Sequence, residues 1–484
     1  MGNYSAPGVY IEDVKSGSHS IAQIDGSVCA VAGVTRSGAS GKAQLVNSWQ
    51  EFVTKFANGL DTPYTENSLL TYAVQGFYAN NSKGKLYVAR VLPSEGAAIA
   101  SKTGNSLKVT AHSEGEWGNQ LTLKVKHNED YSEAEDSKNL VFDVEIILGS
   151  SSSTLVTGVY KDTIEAKVLS NPTARFWIGD IEVTGEELTE EEITLEGGTD
   201  GTENIKDADY VNALSMFDEF VPEITLVSIP GIETTAVRRG VLDYCEANKL
   251  FPVISMPVGS FNEDVKSYRK TVSSTYGALV YPWVVVTDPL TNREKTVPPE
   301  GHYMGVCSRV INERGVWKAP AGTEAVIRGI NSLEFSLTPA DSSFLNPLGV
   351  VCLLTRRNYG MVVWGARGLN STDDKMRYVS DHFMNINIRK SLYEGTQFAV
   401  FEPNTEMLWK CIYTTCRNFF EGLRTKGALK GSGEGTSWYV VVDETNNTDE
   451  TMDNGELNIE IGYAPVKPAE FVIIKLAHSI DVAE

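Results

Sequence analysis

The chain has 484 residues, and its 63 acids against 42 bases leave a formal net charge of -21. That excess argues against nucleic-acid binding as its main task, where a basic footprint is expected, and against peripheral binding to anionic membranes. A hydrophobic fraction of 42% with 22% charged residues excludes wholesale disorder, and the length allows about three domains.

The first residues, Met1-Gly-Asn-Tyr-Ser-Ala6, have neither a basic nor an apolar stretch and are not expected to be a secretory signal. Ala6-Pro-Gly-Val-Tyr-Ile-Glu-Asp-Val14 predicts a short strand after a Pro-Gly turn, followed by the polar joint Lys15–Ser20. From Ser27 the pattern is mixed α/β. Val28–Gly33 reads as a strand, Ser48-Trp-Gln-Glu51 as a capping box opening a helix to Phe56, Ser68–Ala79 as a second helix and Lys85–Val91 as a strand.

Composition changes after Pro93. Between Ser94 and Gly198, strands such as Leu121–Lys126 and Phe142–Ile147 alternate with polar turns, which predicts an inserted all-β, sandwich-like module with an acidic exterior. The α/β rhythm then resumes, with helices expected over Ala208–Phe220, Thr235–Asn248 and Glu263–Ser274. Strands are expected over Ile224–Ile229, Phe251–Ser255 and Ala278–Val286, and the alternation implies a largely parallel sheet. Leu279–Val286 is the longest apolar run, far short of the roughly 20 residues of a membrane span.

A last helix is predicted from an Asn404 cap to Lys426, with Leu408, Cys411, Ile412, Thr415, Phe419 and Leu423 as its apolar stripe and Gly427 as its stop. Trp438–Val442 reads as a strand. Pro465-Val-Lys-Pro-Ala469 reads as a stiff spacer before a strand over Glu470–Leu476. Each chain end is thus a strand on a tether. Such a strand costs about 1–2 kcal/mol per residue to order, so Val9, Tyr10 and Ile11, with Phe471, Val472, Ile473 and Ile474, are expected to complete sheets in neighbouring copies. The alternative is that each end folds back onto its own sheet. Lys410, Arg417, Arg424, Lys426 and Lys430 form a basic stretch, read either as a face for an acidic partner or as a solvated helix surface.

No catalytic constellation emerges. Gly41-Lys42 lacks the first glycine and the Ser or Thr of a phosphate loop, and Gly431–Gly435 leads to a strand rather than a helix. No GxSxG elbow exists. The six histidines read as isolated surface or turn residues, the six cysteines as core thiols, and Asp373-Asp374 carries no weight without a pocket. No catalytic, cofactor or metal site is expected.

Several segments in order resemble the sheath proteins of contractile phage tails and related injection particles. They are Pro7–Val14, Ser48–Phe52, Glu116-Trp-Gly-Asn119, Leu195–Gly201, Val297-Pro-Pro-Glu-Gly301, Arg314–Pro320, Val363-Trp-Gly-Ala-Arg367, Phe401-Glu-Pro-Asn404, Gly427–Leu429 and Pro468-Ala-Glu-Phe-Val472. Two places depart from the family pattern, Ser255-Met-Pro257 and Tyr378-Val-Ser-Asp381. The resemblance implies a structural subunit, not an enzyme, polymerised in stacked sixfold rings around an inner tail tube, with baseplate and tail terminator proteins as further partners. It implies no cofactor, direct nucleic-acid contact or membrane insertion, and a place in the virion tail sheath, assembled in host cytoplasm.

The implied layout is an arm over residues 1–20 and a subtilisin-like, non-catalytic layered α/β domain over 21–93 and 199–359, with the β insertion over 94–198. An α+β C-terminal domain over 360–464 faces the tube through the basic stretch, and a second arm spans 465–484. A bacteriocin or extracellular injection device is the alternative setting. An α/β hydrolase with an appended β domain, or a carbohydrate-binding surface protein, are the competing classes.

Overall fold

The computed structural model describes residues 20–58, 62–65, 69–128, 141–150, 152–272 and 274–474. Strand β1 (Cys29–Gly33) is apolar and buried at every position, as a strand covered on both faces requires. It is followed by β2 (Ala43–Val46), α1 (Trp49–Ala57), α2 (Leu69–Asn80) and β3 (Leu86–Arg90). The Ser48 hydroxyl accepts from Glu51 N at 3.1 Å and so caps α1, while the Glu51 carboxylate turns back to Asn47 N at 2.9 Å. The apolar side of α1 buries Phe52 and Phe56, whose rings stack 5.3 Å apart.

The next segment runs β4 (Ile99–Thr103), β5 (Leu107–Glu114), β6 (Leu121–His127), β7 (Phe142–Leu148), β8 (Ser152–Val159), α3 (Ile164–Ser170), β9 (Ile178–Val183) and β10 (Glu191–Thr194). Two antiparallel sheets, β4-β5-β9 and β10-β6-β7-β8, share one apolar cluster drawn only from residues between Ala100 and Leu195. The segment is not all-β, because α3 buries Ile164 and Val168 in that cluster. Two sequence motifs close the segment. Asn119 Nδ2 donates to Gly198 O and Gly198 N to Asn119 Oδ1, both at 2.8 Å. A side chain at Gly198 would sit 2.4 Å from Gly115 O, so only glycine fits there.

The chain continues through α4 (Asp207–Asn212), β11 (Leu226–Ser228), α5 (Thr235–Asn248), β12 (Phe251–Ser255), α6 (Asn262–Thr271), β13 (Ala278–Tyr281) and β14 (Val284–Thr287). The helix expected over Ala208–Phe220 tightens after Asn212 into a 3-10 stretch, Ala213–Phe220. The single strand expected over Ala278–Val286 is two. Pro282 has no N–H to give a ladder, and the chain leaves one sheet there and enters another. Then come β15 (Glu294–Val297), α7 (Glu300–Arg314), β16 (Ser332–Leu333), α8 (Pro339–Leu345), β17 (Val350–Arg356) and β18 (Gly360–Val363).

These strands form an eight-stranded sheet ordered β18-β17-β13-β12-β11-β1-β3-β2. Its six central strands are parallel, with Cys29 opposite Leu226 and Leu86, Val253 opposite Ala278 and Leu279 opposite Val350. The edge strands β2 and β18 run antiparallel to their neighbours. Helix α7 is buried around nearly its whole circumference and packs on α2 through glycines. A Cβ at Gly301 would stand 2.0 Å from Ala73 O, and one at Gly305 2.6 Å from Phe77 O.

The last elements are α9 (Val379–Gly395), α10 (Glu406–Thr425), β19 (Trp438–Val441), α11 (Asp449–Asp453) and β20 (Glu460–Tyr463). Two compact units emerge among the described residues, Asp25–Ile386 with residues 467–474, and Asn387–Val466 with residues 20–24. In the second unit, α10 packs on the antiparallel pair β19-β20, with Phe420 stacked 6.2 Å from Trp438 and 6.3 Å from Tyr463. Thr405, not Asn404, is the cap residue of α10. Asn404 instead accepts from Trp409 Nε1 at 2.7 Å and donates to Glu456 O at 2.9 Å.

Candidate interaction surfaces

Asp373 accepts from Lys375 N at 2.7 Å in a turn, and Asp374 pairs with Arg377. His302 and His382 are not surface or turn residues, as expected from sequence, but lie 2% and 1% exposed, and burial pulls both down to about 4, so they are neutral. Five cysteines are buried and Cys411 half-buried, all free. Among the described residues no group of three His, Cys, Asp or Glu is placed to hold a metal, and no helix is long and apolar enough to cross a membrane.

Of the basic stretch, Lys410 pairs with Glu406 at 3.3 Å, one turn back on α10. Arg424 Nε donates to both oxygens of Glu421, at 2.9 and 3.0 Å. Lys426 Nζ donates to Gln23 Oε1 at 3.2 Å. Arg417 and Lys430 are exposed. The outward side of α10 therefore alternates in sign, since Glu406 and Glu421 share it. Its buried stripe is Trp409, Ile412, Thr415, Cys416, Phe419, Phe420 and Leu423, and Leu408 and Cys411 are only half-buried.

Val9, Tyr10 and Ile11 lie outside the described residues. The chain that follows them is fastened within its unit. Ile24 N donates to Ser391 Oγ at 3.0 Å, Asn387 Nδ2 to Ile24 O at 2.7 Å, and Ile21 fills the space beside Gly395.

At the other end, Phe471, Val472, Ile473 and Ile474 are 73%, 81%, 80% and 76% exposed and belong to no strand among the described residues. Glu470, just before them, is held from three directions. Arg367 Nε reaches its Oε1 at 2.9 Å and Nη2 its Oε2 at 2.7 Å, Tyr378 OH donates to Oε2 at 3.0 Å, and Asn346 Nδ2 donates to Oε1. Burial raises the Glu470 carboxyl, but the bonds from Arg367, Asn346 and Tyr378 outweigh it and hold the group below its ordinary value. Lys467 adds a contact to Asp381 at 3.8 Å. The motif-departing segment Tyr378–Asp381 thus supplies two of the groups that hold the tail. No sequence signal pairs positions 103 apart, so the sequence does not reveal this cluster.

A fully buried carboxylate lies beside the central sheet. Glu300, at the start of α7, accepts from Ser255 Oγ at 2.8 Å and Gly231 N at 3.4 Å, while its Oε2 has no hydrogen-bond partner among the described residues. Burial pushes its carboxyl up to about 7, against the opposing pull of those bonds.

Residues 203–369 match the model of the phage tail sheath protein central domain, and residues 371–477 that of the phage tail sheath C-terminal domain. Together they cover more than half of the chain. The tail sheath protein of Escherichia phage P2 is 24% identical over 257 residues, 52% of this chain and 62% of the P2 protein, so the match spans under two thirds of that relative. Among solved structures, the sheath complex of the PVC extracellular contractile injection system in its contracted state aligns with a TM-score of 0.62 at 20% identity, covering 99% of each chain. A chain of the sixfold-symmetrised baseplate of the anti-feeding prophage aligns with a TM-score of 0.60 at 20% identity, covering 99% of this chain and 100% of that one.

Proposed function

The chain belongs to the phage tail sheath family, and from that premise we propose that it is a non-enzymatic sheath subunit of a contractile particle. It polymerises in stacked sixfold rings around an inner tube, meets baseplate and terminator proteins at the ends, and shortens from a metastable extended lattice to a compact one. The parallel sheet with helices takes the part of the subtilisin-like layered domain, residues 94–198 that of an outer insertion, and residues 360–464 that of the tube-facing domain. The particle is then a virion tail assembled in host cytoplasm. The alternative setting is an injection device outside a virion, since chains of two such devices share the fold over nearly their full length.

The observation that carries the reading is the run Phe471–Ile474, four large apolar side chains in succession at 73–81% exposure. A soluble chain does not leave such a run in water without a partner for it. A strand from one copy added to a sheet edge in the next gains ladder hydrogen bonds and buries these side chains. The pair β19-β20 offers such edges, because each strand has one neighbour among the described residues and two-stranded sheets are marginal alone. Head-to-tail contacts of this type generate open helical polymers.

Sedimentation and negative-stain microscopy of the purified chain test the reading. Tubular polymers are expected, and a protein that stays monomeric at high concentration and turns over a substrate would overturn it.

A further inference from the structure

We infer that Arg367, Tyr378 and Asn346 form a clamp on Glu470 that fixes where the C-terminal apolar segment leaves the subunit, so that a second copy of this chain meets Phe471–Ile474 at a set position. The inference rests on the sheath reading, since it takes a second copy as the partner of that segment.

Three observations carry it. Both oxygens of one carboxylate are taken up by a guanidinium in fork geometry, a phenol and an amide, from parts of the chain that no local pattern brings together. Bidentate Arg–carboxylate pairs fix orientation as well as position. The hold ends abruptly, because the Glu470 side chain is 18% exposed and Phe471 is 73% exposed. The apolar run is therefore not what the clamp secures against its own subunit. It is what the clamp presents. A second hold lies three residues upstream, where Lys467 reaches Asp381 and the backbone oxygen of Asp374.

The physical gain is pre-organisation. A strand swinging from a loose root searches a wide volume and loses that freedom on pairing, whereas a strand with a fixed root has lost part of it already. A neutral contact would tether the tail without aiming it; the planar fork sets its direction.

The clamp predicts protection of the Phe471–Val472 bond in the isolated subunit, because chymotrypsin must draw several residues before its cut site into an extended pose. Arg367→Ala, Glu470→Gln and Tyr378→Phe should each leave the melting temperature of the folded subunit close to that of the wild type. Arg367→Ala and Glu470→Gln should speed cleavage after Phe471 by about fivefold or more and lower polymer yield about tenfold at fixed protein concentration. The swap Arg367→Glu with Glu470→Arg should restore both in part. Unchanged cleavage in Arg367→Ala and Glu470→Gln would overturn the clamp, and so would faster cleavage with undiminished assembly. A wild-type chain that forms no polymer would instead count against the sheath reading, and the cleavage comparison would still decide whether the clamp holds the tail.

Discussion

The Ser255 hydroxyl donates to Glu300 Oε1 at 2.8 Å across the end of the central sheet, in a site where the other carboxylate oxygen has no hydrogen-bond partner among the described residues. This pair joins two sequence features that looked unrelated, the departing Ser255-Met-Pro257 and the Pro-Pro-Glu-Gly run ending at Gly301. A carboxyl in such a place is tolerated because it can stay protonated.

That protonation has a pH signature. The ordinary value of 4.5 applies in the unfolded chain and about 7 in the folded one, so the folded state holds its proton more tightly. Stability from this group is intact below the ordinary value and is lost as pH rises through the folded one. Glu300→Gln keeps an acceptor for Ser255 and Gly231 and removes the titration. Its stability relative to the wild type should improve by about 2 kcal/mol between about pH 5 and about pH 8, read from denaturant midpoints. A difference that does not vary with pH would show that Glu300 is not buried as a neutral acid.

Gly301 is fixed by contact rather than by turn geometry. A methyl group there would meet Ala73 O at 2.0 Å, and backbone does not yield as a flexible side chain does. Gly301→Ala should destabilise the subunit by about 1–3 kcal/mol or more, with the loss visible in thermal unfolding. A variant as stable as the wild type would mean that α2 and α7 can separate at little cost.

Much of the α/β order is legible in the chain. Thr235–Asn248 is found with its predicted bounds because Thr234 caps it, its hydroxyl accepting from Val237 N at 3.4 Å, and because one side is plainly apolar. Phe251–Ser255 is legible because four apolar residues in succession, closed by Ser255, fit a strand buried on both faces. Helix α7 escapes the same reading, since burial on all sides erases the polar stripe that marks a helix. The stripe of α10 is shifted: Phe420 points inward because β19 and β20 supply aromatic partners that no local pattern reveals, and Trp409 is buried with its Nε1 bonded to Asn404. The hold on Glu470 is illegible for a related reason, as its partners lie 92 to 124 positions away.

The proposed tube contact narrows to two side chains. Lys410 and Arg424 are engaged with Glu406 and Glu421 and Lys426 is bonded to Gln23, so Arg417 and Lys430 are the least engaged of the five. Exposed pairs contribute about 0–1 kcal/mol each. Reversing both to Glu should therefore weaken co-sedimentation with the inner tube about tenfold at low salt, with the difference fading as salt screens the charges. Equal binding of variant and wild type across the salt series would remove this stretch from the contact.

Removing residues 1–15, and with them Val9, Tyr10 and Ile11, should leave both compact units folded, because the described chain after them carries its own attachments, Ile24 N to Ser391 Oγ and Asn387 Nδ2 to Ile24 O. The melting curve should match the wild type while contractile sheaths fail to form. Normal sheaths from the truncated chain would show that the first arm has no part in the lattice.

A high-resolution reconstruction of the assembled polymer tests the central idea most directly, since the density after Glu470 can be traced. It should run from the Arg367 pocket into the sheet of an adjoining copy, with Phe471 and Ile473 covered there. Density turning back onto the same subunit, touching no other copy, would contradict it.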